Sequence, residues 1–444
     1  MKPQMRFPSI TTRRGLLVGC ALGEAVLALF AARALDRETL PLYLGLYFGM
    51  AVFWLVASYL ALHEEGPSRR WDPALVFAFA LLLRVIFLPT EPVLSDDVFR
   101  YVWDGRVQHA GINPYLYAPA DPELAFLREE LPGIYPGINN KDVPTLYPPL
   151  MQLAFFLATA VSESLFCMKT FFALFDLALI YALTRLLAAL ELHPLRALIY
   201  AWSPLSVVEV AASGHNEAFA VFFLVCALWA FERKRDFASM LMLAASGMAK
   251  LASFALVPLF ARFVGPRVHW AFPLAVLPLL LLYASAEELA FRGLREYAMR
   301  WRGNDSLFHA LFALTGSLEK AKTIAGLLLA AWILVLFWRR IPPLRASFWT
   351  LGALLLLSPI VHPWYLLWIA PLLAIFANPA WLYLEASVAL SYHAMYLASP
   401  GEVWQEWVWI KHLLYGPFFV LLALNLAFHE SRKAARDPRS DAPR

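Results

Sequence analysis

The sequence predicts an all-α polytopic membrane protein, and three observations carry that expectation. Of its 444 residues, 61% are hydrophobic and only 16% charged, against roughly 25% charged in an ordinary soluble domain. Mean hydropathy is +0.59. The apolar residues fall in repeated runs of roughly 17–25 residues, the length at which a helix crosses a bilayer.

The remaining composition excludes other classes. Net charge is +4, and the cations sit in short clusters between apolar runs. With no Gly-rich phosphate loop and no aromatic–basic stripe, a nucleic-acid partner is not expected. Cys20, Cys167 and Cys226 lie in or beside apolar segments and suggest neither a disulfide framework nor a metal cluster. The start resembles a secretory signal, but its apolar part is too long, is interrupted by Glu24 and lacks a small-residue cleavage site. It is expected to be an uncleaved first helix.

Taken in order, the first spans are expected at 16–34, 41–62 and 73–89. The segment 90–168 holds one apolar stretch, 149–162, which is too short to cross and suits an interfacial or re-entrant helix. Its Tyr147-Pro148-Pro149 opening fits a helix start, where a missing N–H costs nothing. Charge sidedness agrees. With Lys2, Arg6, Arg13 and Arg14 inside, a non-crossing 149–162 leaves Arg233, Lys234, Arg235, Arg339, Arg340, Arg345 and the Arg432–Arg444 tail inside as well.

Further spans follow at 169–190, 197–212, 217–231, 237–249, 251–263, 270–286, 320–338, 347–360, 364–377, 380–397 and 408–428. The total is about 12–14 transmembrane helices by hydropathy and charge, with both chain ends cytoplasmic. Residues 1–428 read as one membrane unit with a large first external loop at 90–168, and 429–444 as a cytoplasmic charged tail. The loop 287–323 is the misfit: it should be external, yet it carries Arg292, Arg295, Arg300, Arg302, Lys320 and Lys322.

Chemistry concentrates in short polar stretches at the external ends. After the third span comes "LSDDVFRYVWDGRVQHAGINPY", with Asp96, Asp97, Arg100, Asp104 and Arg106. Such a carboxylate pair can be wet on one side and face acyl chains on the other, which suits a lipid-linked substrate. Neighbours on a helix point about 100° apart, so Asp96 and Asp97 are expected to have different tasks. The plain alternative is helix capping by Ser95 or Asp96. Other such stretches are "SGHNE" with His215 and Asn216, "WRGNDS" with Arg302, and "VHPWY" with His362 and Tyr365. Lys250 alone interrupts an apolar run, and an ionisable residue there is a functional candidate. Its alternatives are snorkelling or pairing with a buried acid such as Asp176, Glu209 or Glu385. Arg84 is expected to pair internally or reach an interface, the plain alternative for His215 and His362 is packing or an interfacial belt, and Trp404, Trp407 and Trp409 are expected to be interfacial anchors.

In this order, "SDDVFRYVWDGRVQHAGINPY", "TLYPPLMQLAF", "GHNEAF", "GMAKLASFALVPL" and "HPWYLLWIAPLL" make the chain resemble the GT-C-type glycosyltransferases that use polyprenyl-phosphate sugars. It is most similar to the bacterial polyprenol-phosphate-mannose-dependent mannosyltransferases and glycosyltransferase family 87. The resemblance runs from about Pro73 to about Phe376. It departs in having Glu217 where the family often has Asp after Gly-His-Asn, and in two helices before Pro73.

The resemblance implies a GT-C-like bundle whose first large external loop carries an essential acid and juxtamembrane helices. It implies that Asp96, the first of the pair, is the catalytic carboxylate and Asp97 the neighbour that orients it or the acceptor; the residues themselves leave the choice open. The expected reaction is inverting transfer of a hexose, mannose by resemblance, from a polyprenyl-phosphate donor to a lipid-linked or glycan acceptor. The site would lie on the outer face of the plasma membrane. An Asp general base would take the acceptor proton, while Lys250, with Arg300 or Arg302 and with His362 and Tyr365, would hold the lipid phosphate. Arg100 or Arg106 is a second option, and His215 and Asn216 complete the candidate set. No cofactor is required, and a divalent metal is neither demanded nor excluded. Competing expectations are a glycan ligase or polymerase using a polyprenyl diphosphate, and a sugar-lipid transporter or flippase.

Overall fold

A computed structural model describes residues 10–64, 66–397 and 407–434. Lys2, Arg6, Trp404 and the tail from residue 435 lie outside the described residues. The described residues form an all-helical bundle without strands, apart from one isolated parallel bridge between Gly303 and Ile360.

Five helices are long and apolar enough to cross a membrane: Arg13–Arg33, Leu40–Leu62, Leu165–Ala189, Leu318–Trp338 and Val408–Ala427. A sixth span arises if Pro194–Ala201 and Pro204–Ala212, bent by 58°, are taken together. Five shorter apolar helices, such as Asp236–Ala249 and Pro343–Leu357, fill out the bundle. The polytopic architecture is therefore as expected, with fewer full-length spans among the described residues than the hydropathy count of about 12–14. The cause is local. The expected break at Lys250 is present, with Lys250 extended (φ −148°, ψ 124°) between a helix ending at Ala249 and a 3-10 turn starting at Leu251, and neither piece has the length to cross. Pro194, Pro204, Pro363 and Pro379 each sit in the first turn of a new helix, where proline is tolerated and the preceding turn cannot continue.

Two buried arrangements fix the ends that matter. Asp72, at the start of helix Asp72–Phe87, meets Arg14 at 3.2 Å and His193 at 3.7 Å. Near the other end of that helix, Arg84 Nε donates to Asp176 Oδ2 at 2.6 Å and Arg84 Nη2 to Ser206 Oγ at 3.2 Å, while Tyr200 donates to Asp176 Oδ1 at 2.5 Å. Arg84 thus pairs internally. Just beyond, Lys169 at the top of helix Leu165–Ala189 donates to the Thr90 carbonyl at 2.5 Å. The chain between Thr90 and Lys169 therefore leaves and returns at one end of the bundle.

Within that excursion, helix Asp97–His109 lies against helix Pro149–Thr159. Gln108 Nε2 donates to the Gln152 carbonyl at 3.0 Å, and Gln152 Nε2 to Asp104 Oδ2 at 3.0 Å. Tyr101 stacks on Phe155 with centroids 4.8 Å apart. Gly105 lets the helices touch, since a Cβ there would run into Thr159 and the Phe155 carbonyl. At 11 residues, Pro149–Thr159 is as short as the sequence suggested.

Candidate active site

Asp96 stands at the N-cap of helix Asp97–His109, yet its side chain makes no capping hydrogen bond. The carboxylate is therefore not spent on capping. Instead Asn139 Nδ2, from the far side of the loop, donates to Asp96 Oδ1 at 2.5 Å and to Asp97 Oδ1 at 3.1 Å. One amide thus holds both acids. They still point apart: Asp96 is exposed, whereas the Asp97 side chain keeps 24% of its surface and faces the bundle. Burial pushes Asp97 up to about 6, and the charge of Asp96 adds to this; Asn139 and Lys250 oppose it. Burial also raises Asp96, against its Asn139 bond.

Facing Asp97 is a floor built at the top of the bent span. The turn Val208–Ala212 is a π-helix, a form that recurs at functional sites. Gly214 then takes φ +78°, open to glycine, and a Cβ there would lie 2.8 Å from Lys169 Cγ and 3.0 Å from Val98 Cγ2. The reversal returns the His215 N–H to the Glu209 carbonyl at 2.9 Å and buries the imidazole completely. His215 Nδ1 is 3.9 Å from Asp97 Oδ2. Burial, with the nearby charge of Lys250, holds His215 well below the usual histidine range, so it is neutral. Asn216 follows, fully buried, with neither amide atom hydrogen-bonded.

The wall opposite comes from "VHPWY". Trp364 is sandwiched between two imidazoles, 3.8 Å from the His215 centroid and 4.3 Å from that of His362. Burial and Lys250 lower His362 to about 3. Tyr365 shares a 2.7 Å hydroxyl contact with Tyr297. Trp364 is a buried spacer between the two histidines.

Lys250 supplies the cation. Its Nζ lies 2.7 Å from Glu217 Oε1 and 5.2 Å from the Tyr147 ring centroid. The partner is thus Glu217 rather than Asp176, Glu209 or Glu385. An ammonium has three donors, and this one keeps 16% side-chain exposure. Beside it a gap of about 10 Å³ is lined by Ser253 and Trp368, whose indole N–H is buried without a partner. That is room for about one water. A separate cavity of about 400 Å³, lined by Glu64, His193 and Arg196 among others, lies at the opposite end of the bundle from Asp97.

The other candidate cations are held elsewhere. Arg100 donates to Asp104 at 2.7 Å and to the Val143 carbonyl at 2.9 Å. Arg106 pairs with Glu130 and, at 3.5 Å, with Glu163. Arg300 is exposed beside Glu296 at 3.4 Å and Asp142 at 3.9 Å. Arg302 donates to Asp305 at 2.8 Å and covers the Phe312 ring, while Lys411 reaches the same carboxylate at 2.7 Å. The structure therefore brings together Asp96, Asp97, His215, Lys250, His362 and Tyr365, and engages Arg100, Arg106, Arg300 and Arg302 in their own ion pairs. Among the described residues, no three His, Cys, Asp or Glu side chains converge as a metal site.

Residues 15–266 match the alpha-(1→6)-mannopyranosyltransferase family, N-terminal domain, and residues 308–428 match the MptB C-terminal domain. The chain belongs to this mannosyltransferase family. No curated protein matches it. In this mannosyltransferase Asp97, His215 and Lys250 lie in the first matched region and His362, Trp364 and Tyr365 in the second. Asn139, Tyr147 and Tyr297 were not anticipated from the sequence. Only Tyr147, opening "YPP" before an apolar helix, left a trace there.

Proposed function

We propose that this mannosyltransferase moves mannose, with inversion, from a polyprenyl-phosphate donor to a lipid-linked or glycan acceptor at the outer face of the plasma membrane. Asp97 is the general base. One observation carries the proposal: Asp97, a carboxylate with raised basicity, stands 3.9 Å from His215, and the charge of Lys250 acts on both.

The chemistry follows from what each substrate lacks. A sugar on a phosphodiester already has a leaving group, but the acceptor hydroxyl is a weak nucleophile. As its oxygen bonds to the anomeric carbon, the proton passes to Asp97, for a contribution of roughly 10²–10⁴. The C–O bond to phosphate breaks on the opposite side, and its electron pair leaves with the lipid phosphate. Lys250 meets the charge that grows there. The partnerless amide of Asn216 and indole N–H of Trp368 are donors available to the sugar phosphate. A singly charged diester is matched by one ammonium, so the transfer is proposed to need no metal. The resemblance pointed to Asp96 as the base; the inward orientation of Asp97 favours Asp97, with Asp96 held beside it through Asn139.

Sidedness supports the outer face. Arg14 and the Arg233–Arg235 turn lie at the end of the bundle opposite the site, and so do Arg339 and Arg340. This is the end a positive-inside distribution makes cytoplasmic. At the site end, Arg300 and Arg302 are offset by Glu296 and Asp305.

The test is transfer of radiolabelled mannose from polyprenyl-phosphate mannose to octyl α-mannoside by the purified chain in nanodiscs. Asp97→Asn should lose about 10²–10⁴ in kcat. Full activity in Asp97→Asn, or a requirement for a sugar nucleotide or a polyprenyl diphosphate instead, overturns the proposal.

A further inference from the structure

On the side of His215 away from Asp97 stands a second buried acid. His215 Nε2 is 3.5 Å from Glu209 Oε2, and the other oxygen of Glu209 accepts the Tyr392 hydroxyl at 2.6 Å. Both ring nitrogens of His215 and Glu209 Oε2 are buried without a hydrogen-bond partner. Orphaned buried polar atoms are costly and call for an explanation. Three of them in a row, ending at Asp97, suggest a chain that closes only when a proton is present. Apo separations at such sites are often long and tighten in the substrate complex.

We propose that Glu209 fixes His215 in the tautomer protonated on Nε2, leaving Nδ1 as a standing acceptor for the proton that Asp97 takes from the acceptor hydroxyl. His215 and Glu209 are thus positioning residues for Asp97. The inference rests on the general-base role of Asp97.

The step balances without a charged imidazole. The hydroxyl proton moves to Asp97 as the sugar–oxygen bond forms and the sugar–phosphate electron pair departs. The new O–H on Asp97 then donates to Nδ1, while Nε2–H donates to Glu209 as their 3.5 Å separation closes. His215 stays neutral throughout, and Asp97 returns its proton to water after the product leaves. In the opposite tautomer Nδ1–H would donate to the ionised Asp97, favour the charged form and weaken the base.

Other groups acting on Asp97 are Asp96 and Tyr101 from its own helix region, Lys250, Glu217, and Tyr147, Tyr297 and Tyr365. The tyrosines are held neutral by burial. The Lys250–Glu217 pair is left untouched by the variants below, so it does not confound them.

The experiment is the pH profile of kcat/KM for the full chain in nanodiscs, with polyprenyl-phosphate mannose and octyl α-mannoside. Glu209→Gln keeps the shape but presents an amide donor to Nε2 and so reverses the tautomer. Its acid limb should move down by about one pH unit, with kcat about tenfold lower and donor KM unchanged. His215→Phe keeps a ring on Trp364 but no nitrogen, and should move the limb the same way; it serves if the first variant fails to fold. A lower kcat with the acid limb fixed in a folded variant overturns the relay and leaves the general-base role intact. Retained activity in Asp97→Asn removes both.

Discussion

Lys250 Nζ lies 2.7 Å from Glu217 Oε1, the cation at a break between two helices and the acid in the first turn of a third. A buried pair of this kind is expensive to break from one side, because the remaining charge is left uncompensated. Its roles in folding and in donor binding can therefore be separated. Lys250→Met should lower thermal stability and raise donor KM by about 10- to 100-fold, the worth of one charge-assisted hydrogen bond. The double variant Lys250→Met/Glu217→Gln should recover melting temperature without recovering KM. If KM also recovers, Lys250 does not hold the phosphate.

Asp97 sets the acid limit of the reaction. A base works only when ionised, and this carboxyl is pushed up to about 6 by burial and by Asp96. Below its pKa it carries a proton and cannot accept another. Activity should therefore fall as pH drops through about 6, not near 4 where an ordinary aspartate titrates. A kcat/KM profile flat down to pH 5 would refute this.

Asn139 works against that rise, since its amide stabilises the ionised form of both acids. Asn139→Ala should shift the acid limb upward and lower kcat, while Asn139→Asp should be worse because it adds a third negative charge. An unchanged limb in Asn139→Ala would show that the amide does not tune the pair.

Arg84 is predicted to be structural. Its guanidinium and the Asp176 carboxylate have no exposed side-chain surface. Arg84→Ala leaves a buried carboxylate unpaired, at a cost of about 3–5 kcal/mol. Folded yield in detergent should collapse. Arg84→Ala purified in normal yield with a normal melting temperature would contradict this.

Much of the site was visible because polar residues stand out against apolar surroundings. Asp96, Asp97, His215, Lys250 and His362 announce themselves that way. Partnership was not visible. Glu217 was read as a departure from a motif, and its pairing with Lys250 depends on how three helix ends meet. Asn139 sits among Asn140, Lys141 and Asp142 in a polar loop, so nothing in its neighbourhood distinguishes it. Arg302 was read toward the phosphate although Asp305, three residues on, offered a local partner. Helix length was overestimated where an apolar run continues through a break, as it does across Trp202–Ser203, whereas the break at Lys250 falls where the lone lysine marked it.

Trp364 sits between an imidazole from each of the two matched regions, with ring contacts of 3.8 and 4.3 Å on its faces. Neither region, expressed by itself, can present both histidines. A gene cut within 267–307 would yield two inert fragments, and catalysis would return only when they reassemble in one bilayer. Complementation of that kind would then report docking of the fragments, with the indole as the peg that seats one upon the other.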